Sequence, residues 1–223
     1  MRRSATARTA AIVVAAGRGE RFGAPKQFLT AGDSRLVDRA VAAATATCDE
    51  VIVVLPAGRL WDGEPVAGVV PGGDTRSASV RAGLEAVGAS VEIVVVHDAA
   101  RPLATPELFE LVIDTVRAGA DAAVPGLPVA DTLKRVDGAR VTGTVDREGL
   151  VAVQTPQAFR ADALRASHAD GGDATDDAAL IEAAGGTVVV VAGDPRNLKV
   201  TNVADVAVVE ALLAPTLGKG SAR

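Results

Sequence analysis

Ala11-Ile12-Val13-Val14-Ala15-Ala16-Gly17-Arg18-Gly19-Glu20-Arg21-Phe22-Gly23-Ala24-Pro25-Lys26-Gln27 joins a short apolar run to a glycine-rich loop. The run is too short for a helix and carries no polar alternation, so it reads as a strand buried on both faces, as in a parallel sheet. The loop's glycines let the backbone turn sharply and aim its N–H groups at phosphate oxygens, and Arg21 and Lys26 supply positive charge there. Three residues separate Gly19 from Gly23, which breaks the G-x-G-x-x-G spacing of a dinucleotide site, and no G-K-[ST] ending marks a P-loop. A plain strand-to-helix turn with surface cations is the ordinary alternative.

Similar runs recur at Val51–Leu55, Val91–Val96, Ala122–Pro125 and Val188–Ala192. Ala-rich stretches with helical periodicity lie between them, at Leu36–Thr47, Ser77–Val87, Pro106–Ala118, Arg160–Ala169, Asp176–Ala184 and Asn202–Leu213. The alternation predicts an α/β fold, a Rossmann-like, mostly parallel sheet with helices on both faces. Ser77, Thr175 and Thr105-Pro106-Glu107 supply helix starts. One segment, about 129–150, interrupts the rhythm. Its short β-like pieces around Asp137-Gly138 predict a hairpin, and its Lys134, Arg135, Arg140 and Arg147 fit a small protruding arm.

A length of 223 residues suits one main domain. Hydrophobic residues make up 48% and aromatics only 2%, which fits strands of Val and Ile covered by Ala-rich helices. The net charge of −5 argues against nucleic acid and anionic membranes as partners, so an anionic substrate needs a local cluster of cations. With Cys48 alone no intramolecular disulfide forms, and His97 and His168 stand too far apart for a zinc spacing. A reducing cytoplasm is the expected compartment. The basic start MRRSATARTA precedes an apolar stretch too short for a signal peptide or a membrane span, and both chain ends read as frayed tails.

Further motifs follow the first loop. Pro71-Gly72-Gly73-Asp74-Thr75-Arg76-Ser77-Ala78-Ser79-Val80 follows a strand and opens a helix, where backbone groups and the Ser79 hydroxyl suit the edge of a nucleobase; capping is the simpler reading. His97-Asp98-Ala99-Ala100-Arg101-Pro102 ends a strand and places Asp98 at the carboxyl edge of the sheet, where such folds bind ligands. Asp98 can hold Mg²⁺, since an ion bridging phosphates needs only one or two protein oxygens, or it can pair with Arg101. His97 reads as structural. Asp131-Thr132-Leu133-Lys134, Asp146-Arg147, Gln154-Thr155-Pro156-Gln157, Thr175-Asp176-Asp177 and Asn197-Leu198-Lys199-Val200-Thr201 each combine a hydroxyl or amide with charge, a pairing able to hold a polyol phosphate.

In this order AAGRGERFGAPKQF, GGDTRSASV, HDAARP, DTLK, QTPQ, TDDAAL and NLKVT resemble the 2-C-methyl-D-erythritol 4-phosphate cytidylyltransferase family over about Ile12 to Leu213. The resemblance implies one nucleotidyltransferase domain over residues 1–223, with the arm inserted at about 129–150. It implies a homodimer that joins CTP to a small phosphorylated polyol with Mg²⁺, in the non-mevalonate isoprenoid route. Carried over by position, it implies catalytic roles for Arg21, Lys26, Arg147 and Lys199. The nucleotide would lie against Ala15, Ala16, Gly17, Gly19, Gly73, Asp74, Ser79 and Asp98, with Asp98 also on the metal. The acceptor would meet Arg101, Thr132, Arg147, Thr155, Thr175 and Lys199, the arm residues across the dimer interface. Glu20 beside Arg21 and Ala130 in the arm depart from the family pattern.

Three rivals remain at this point. Ribitol 5-phosphate cytidylyltransferases look similar through the loop and differ in the acceptor pocket. A dehydrogenase would need an acidic residue after the second strand, which instead ends Val54-Leu55-Pro56. A non-catalytic nucleotide-binding protein of the same fold would have little reason to keep Arg21, Lys26 and Asp98 together.

Overall fold

The alternating direction of side chains along the first strand sets how the layers stack. The computed structural model describes residues 7–17, 19, 22–23, 25–169, 171–174 and 176–214. In β1 (Thr9–Val14) successive side chains face opposite sides of the sheet. Ala11 and Val13 enter one core with Val37, Ala40 and Val41 of α1 (Leu36–Thr45) and Phe109, Val112 and Val116 of α3 (Pro106–Arg117). Ala10 and Ile12 enter the other, with Val80 and Leu84 of α2 (Arg76–Ala86), Leu164 of α4 (Ala161–His168) and Ile181 of α5 (Asp177–Ala183). Strand residues buried on both faces therefore have to be apolar throughout, which is why this run shows no polar alternation.

β1 pairs in parallel with β4 (Glu50–Leu55) on one side and β6 (Ile93–Asp98) on the other, and β4 continues in parallel to β5 (Gly68–Pro71). Beyond β6 comes β11 (Gln157–Arg160), antiparallel to β6 and to β7 (Ala122–Pro128). β12 (Val188–Ala192) runs parallel to β7, and β10 (Val151–Val153) antiparallel to it. Thus β1, β4, β5, β6, β7 and β12 share one direction and β10 and β11 oppose it, within an eight-stranded sheet ordered β10-β7-β11-β6-β1-β4-β5 with β12 beside β7. The expected mostly parallel α/β sheet with helices on both faces is the architecture found.

Differences are local and have physical causes. The third strand begins at Ile93 rather than Val91 and runs on through His97 and Asp98, because those two residues stay in register with Val13 and Val14. β5 is the short strand expected before the second glycine cluster, whereas β10 and β11 have no sequence signal of their own; they are short and gain their pairing from the strands beside them. The N-cap of α2 is Thr75, whose Oγ1 accepts from the Ala78 N–H, while Ser77 lies inside the helix. That of α5 is Asp176, and Thr175 lies outside the described residues, as do 1–6 and 215–223 of the two tails. Thr105 caps α3 with Pro106 behind it, as read from the sequence.

The arm is present as a separate two-stranded sheet of β8 (Leu133–Asp137) and β9 (Arg140–Val145), turning through Gly138-Ala139. Val136 and Val141 are exposed on it. A short antiparallel pair, β2 (Thr30–Ala31) and β3 (Ser34–Arg35), precedes α1. α6 (Val203–Leu213) is the last element among the described residues, its Asn202 and Asp205 forming a capping box, and it buries Val209 against Ala31, Leu36 and Val200. Among the described residues no helix is long and apolar enough to cross a membrane.

Gly83 marks the tightest approach of α2 to the sheet, since a Cβ there would sit 2.5 Å from Ile12 Cγ2. Gly83→Val is expected to destabilise the fold by about 1–3 kcal/mol through overpacking. The measurement is the urea unfolding midpoint, and an unchanged midpoint would show that α2 does not bear on Ile12 in this way.

Candidate active site

At the carboxyl ends of β1 and β6 the chain opens into a cleft of about 450 Å³, lined by Ala15, Ala16, Gly17, Gly19, Phe22, Lys26, Gln27, Gly73, Asp74, Thr75, Arg76, Ser79, Asp98, Ala100 and Lys199, with Val14 beneath. That edge is where parallel α/β sheets expose strand ends and helix N-termini. The first wall is the glycine-rich loop. Gln27 pins it: the buried amide donates to the carbonyls of Ala15 (2.6 Å) and Gly17 (2.9 Å) and so closes the loop on itself. Lys26 opens the 3₁₀ turn Lys26–Phe28 and faces the cleft. Arg21 lies outside the described residues.

The second wall is the start of α2. A Cβ on Gly72 would lie 2.3 Å from the Ala16 Cβ and 2.8 Å from Ser79 Oγ, so only glycine lets this segment close against the first loop. Thr75, Arg76 and Ser79 then present the first turn of α2 to the cleft, where unpaired helix N–H groups favour anions. The Ser79 hydroxyl donates to the Thr75 carbonyl (3.0 Å), the local role that the sequence left open for it.

Asp98 stands at the floor with 8% of its surface exposed. Lys199 Nζ donates to its Oδ2 (2.6 Å) and Arg76 Nε to its Oδ1 (3.3 Å). Burial alone would raise the carboxyl pKa, but these two cations hold it well below the usual carboxylate range, so Asp98 is ionised. Lys199 is aimed by its flanks. Asn197 is fully buried and donates from Nδ2 to the Thr155 carbonyl (2.9 Å), and the Val200 N–H donates to Ala100 (2.8 Å).

Ala15, Ala16, Gly17, Gly19, Lys26, Gly73, Asp74, Ser79, Asp98 and Lys199 are thus brought together as read from the sequence. Arg101 and Thr155 are not, because both lie behind the floor. Arg101 donates to the carbonyls of Asn197 (2.8 Å) and Val153 (3.3 Å) instead of pairing with Asp98 or facing the cleft. Thr155 Oγ1 accepts the Asp98 N–H (3.0 Å) and donates to His97 Nδ1 (3.1 Å), while His97 Nε2 donates to the Arg101 carbonyl (3.2 Å). Complete burial pushes the His97 pKa down to about 4, so the ring is a neutral strut. Thr132 and Arg147 sit exposed on the arm and do not line this cleft; the Arg147 guanidinium donates to the Ala130 carbonyl. Thr175 lies outside the described residues.

Arg76, Thr75 and Gln27 went unassigned in the sequence, although all three stand inside the quoted motifs. A cation just inside an N-cap carries no spacing signal of its own. As for a metal, no group of three His, Cys, Asp or Glu side chains converges among the described residues. Among the described residues, Asp74 and Asp98 are the cleft's carboxylates. That donor set suits an ion held mainly by water and by phosphate oxygens rather than by a protein cage.

The Thr155 hydroxyl serves two buried partners at once, so Thr155→Val is expected to cost about 1–3 kcal/mol of stability. Urea unfolding against wild type measures this, and an equally stable variant would remove Thr155 as the support of Asp98.

Residues 9–215 match the family model described as IspD: 2-C-methyl-D-erythritol 4-phosphate cytidylyltransferase. A protein of that name from Nocardia farcinica is 47% identical over 214 residues, covering 91% of this chain and 93% of its own. The bifunctional enzyme IspD/IspF of Clavibacter michiganensis is 46% identical over 232 residues; the alignment takes in 96% of this chain but only 57% of that longer protein. Among solved structures, 2-C-methyl-D-erythritol 4-phosphate cytidylyltransferase from Thermus thermophilus superposes with a TM-score of 0.79 at 37% identity, over 91% of this chain and 97% of that one. The ordered motifs, the sheet with its cleft and these likenesses agree, and the chain belongs to the 2-C-methyl-D-erythritol 4-phosphate cytidylyltransferase family.

Proposed function

We propose that this chain transfers CMP from CTP to 2-C-methyl-D-erythritol 4-phosphate, giving 4-diphosphocytidyl-2-C-methyl-D-erythritol and pyrophosphate in non-mevalonate isoprenoid biosynthesis. The observation that carries the reading is the cleft that faces Lys26 and the glycine loop on one wall with the Asp98–Lys199 pair on its floor, inside a family so named. It is one nucleotidyltransferase domain over 1–223 with the arm inserted at about 129–150.

The nucleophile is a phosphate monoester oxygen, largely ionised at neutral pH since its second pKa is about 6. It attacks the α-phosphorus; the new P–O bond forms as the bond to the pyrophosphate oxygen breaks, and the electron pair leaves with pyrophosphate. No proton has to be removed, so no general base is needed. The work left to the protein is in-line positioning and neutralisation of charge around the α-phosphate.

Lys26 serves that phosphate, and Arg21 of the same loop shares the role. Ala15, Ala16, Gly17, Gly19, Gly73, Asp74 and Ser79 surround the nucleotide. Lys199 meets the acceptor side, and Thr175 joins it. Mg²⁺ would be held by Asp98 together with the nucleotide's phosphate oxygens, and would supply further neutralisation of their charge. No nucleic acid and no membrane take part. The single Cys48 suits a reducing cytoplasm.

Thr132 and Arg147, exposed on the arm, meet the acceptor in the cleft of a second copy, so the working unit is a homodimer. Lys26→Ala and Arg147→Ala proteins are each expected to be nearly inactive alone. Mixing them should restore about a quarter of wild-type activity, because half the dimers are mixed and each rebuilds one of its two sites. Failure of the mixture to gain activity would place Arg147 outside a shared site.

Lys26→Ala is expected to lower turnover by roughly 10²–10³, the usual cost of one preorganised donor. Pyrophosphate release with CTP against the other nucleoside triphosphates, and with methylerythritol phosphate against ribitol 5-phosphate, tests the assignment. Near wild-type turnover of Lys26→Ala, or a preference for ribitol 5-phosphate, would overturn it.

A further inference from the structure

Behind the cleft the ion pairs continue into the protein. Arg76 is shared: Nε donates to Asp98 Oδ1 (3.3 Å) and Nη1 to Asp177 Oδ2 (2.7 Å). Asp177 is fully buried at the start of α5, does not line the cleft, and accepts through Oδ1 from His168 Nε2 (3.0 Å) at the end of α4. A carboxylate can only accept, so His168 Nε2 is the donor of this bond. The row His168, Asp177, Arg76, Asp98, Lys199 thus ties α4, α5 and α2 to the floor of the cleft.

A fully buried carboxylate is poor evidence of stabilisation, since apolar side chains of similar volume usually serve a core as well or better. The Asp177 charge calls for another reason. Arg76 offers one: a planar guanidinium held at two of its nitrogens has a fixed orientation, whereas one bound only to Asp98 could swing with it. With Asp177 in place the positive charge of Arg76 is divided between two carboxylates, which leaves Asp98 Oδ2 to Lys199.

We propose that Asp177 and His168 are positioning residues for nucleotidyl transfer, acting through Arg76 to fix the Asp98–Lys199 pair. The inference rests on the proposed function for its kinetic consequence but not for the linkage itself. Without the Asp177 charge, Arg76 pairs with Asp98 alone, draws the carboxylate away from Lys199 and loosens the Lys199 ammonium.

The test uses Asp177→Asn, His168→Leu and His168→Gln in the full chain, each read in two ways. The first is steady-state kinetics. Asp177→Asn and His168→Leu are expected to lower kcat about tenfold or more, in the range found for partners that orient a reacting site, with less change in the KM for CTP. His168→Gln, whose amide still donates to Asp177, is expected to recover most of the loss. The second reading needs no turnover: acylation of Lys199 by an amine-reactive ester, followed by peptide mass spectrometry, should be several-fold faster in Asp177→Asn than in wild type. Wild-type kcat with unchanged Lys199 acylation, or a lowered melting temperature as the only effect, would overturn the proposal. Should wild type release no pyrophosphate with any acceptor, the proposed function fails, and the acylation ratio alone then decides the linkage. If Asp177→Asn does not fold, the contrast between the two His168 variants decides it.

Discussion

Asp98 keeps a negative charge at the end of a buried strand, and the surroundings have to satisfy it. An isolated carboxylate there would be too costly to bury, so cations must reach it from elsewhere in the chain. Arg76 comes from the first turn of α2 and Lys199 from the loop before α6, the latter 101 residues away in sequence. The backbone N–H of Asp98 is met by Thr155, between β10 and β11. Each of these segments is anchored in turn, through the Thr75 cap, the buried Asn197 and the His97 strut. The cleft is the space these anchors leave open.

This requirement also explains why two residues that the motifs assign to the acceptor, Arg101 and Thr155, do not line the cleft. HDAARP and QTPQ do sit at the right strand ends, but the Arg101 guanidinium donates to the carbonyls of Asn197 and Val153, and the Thr155 hydroxyl is held between the Asp98 N–H and the His97 ring nitrogen. Buried polar groups have to be satisfied before any side chain is free for a ligand. A motif reports which residue types occur at a place; which way each one points depends on what its neighbours lack.

The glycine-rich loop shows the opposite case. Its place after a buried strand was legible from the local sequence alone, and Lys26 and Gly17 line the cleft. The closeness of the second loop was less visible. Gly72 and Ala16 are small because each fills the other's space, and that contact exists only once β1 and β5, on either side of β4, carry the two loops together.

By itself the sequence determined the alternation of the main strands and helices, the helix limits to within a residue or two, the parallel strands around β1, and the arm. These follow from local period, caps and turn residues, which act over a few positions along the chain. Tertiary structure alone decided the antiparallel β10 and β11, the sharing of Arg76 between Asp98 and Asp177, and the retreat of Arg101 and Thr155 from the cleft. Those depend on charges and hydrogen-bonding groups brought together from distant segments, and a buried charge selects its partners by distance in space, which no spacing along the chain records.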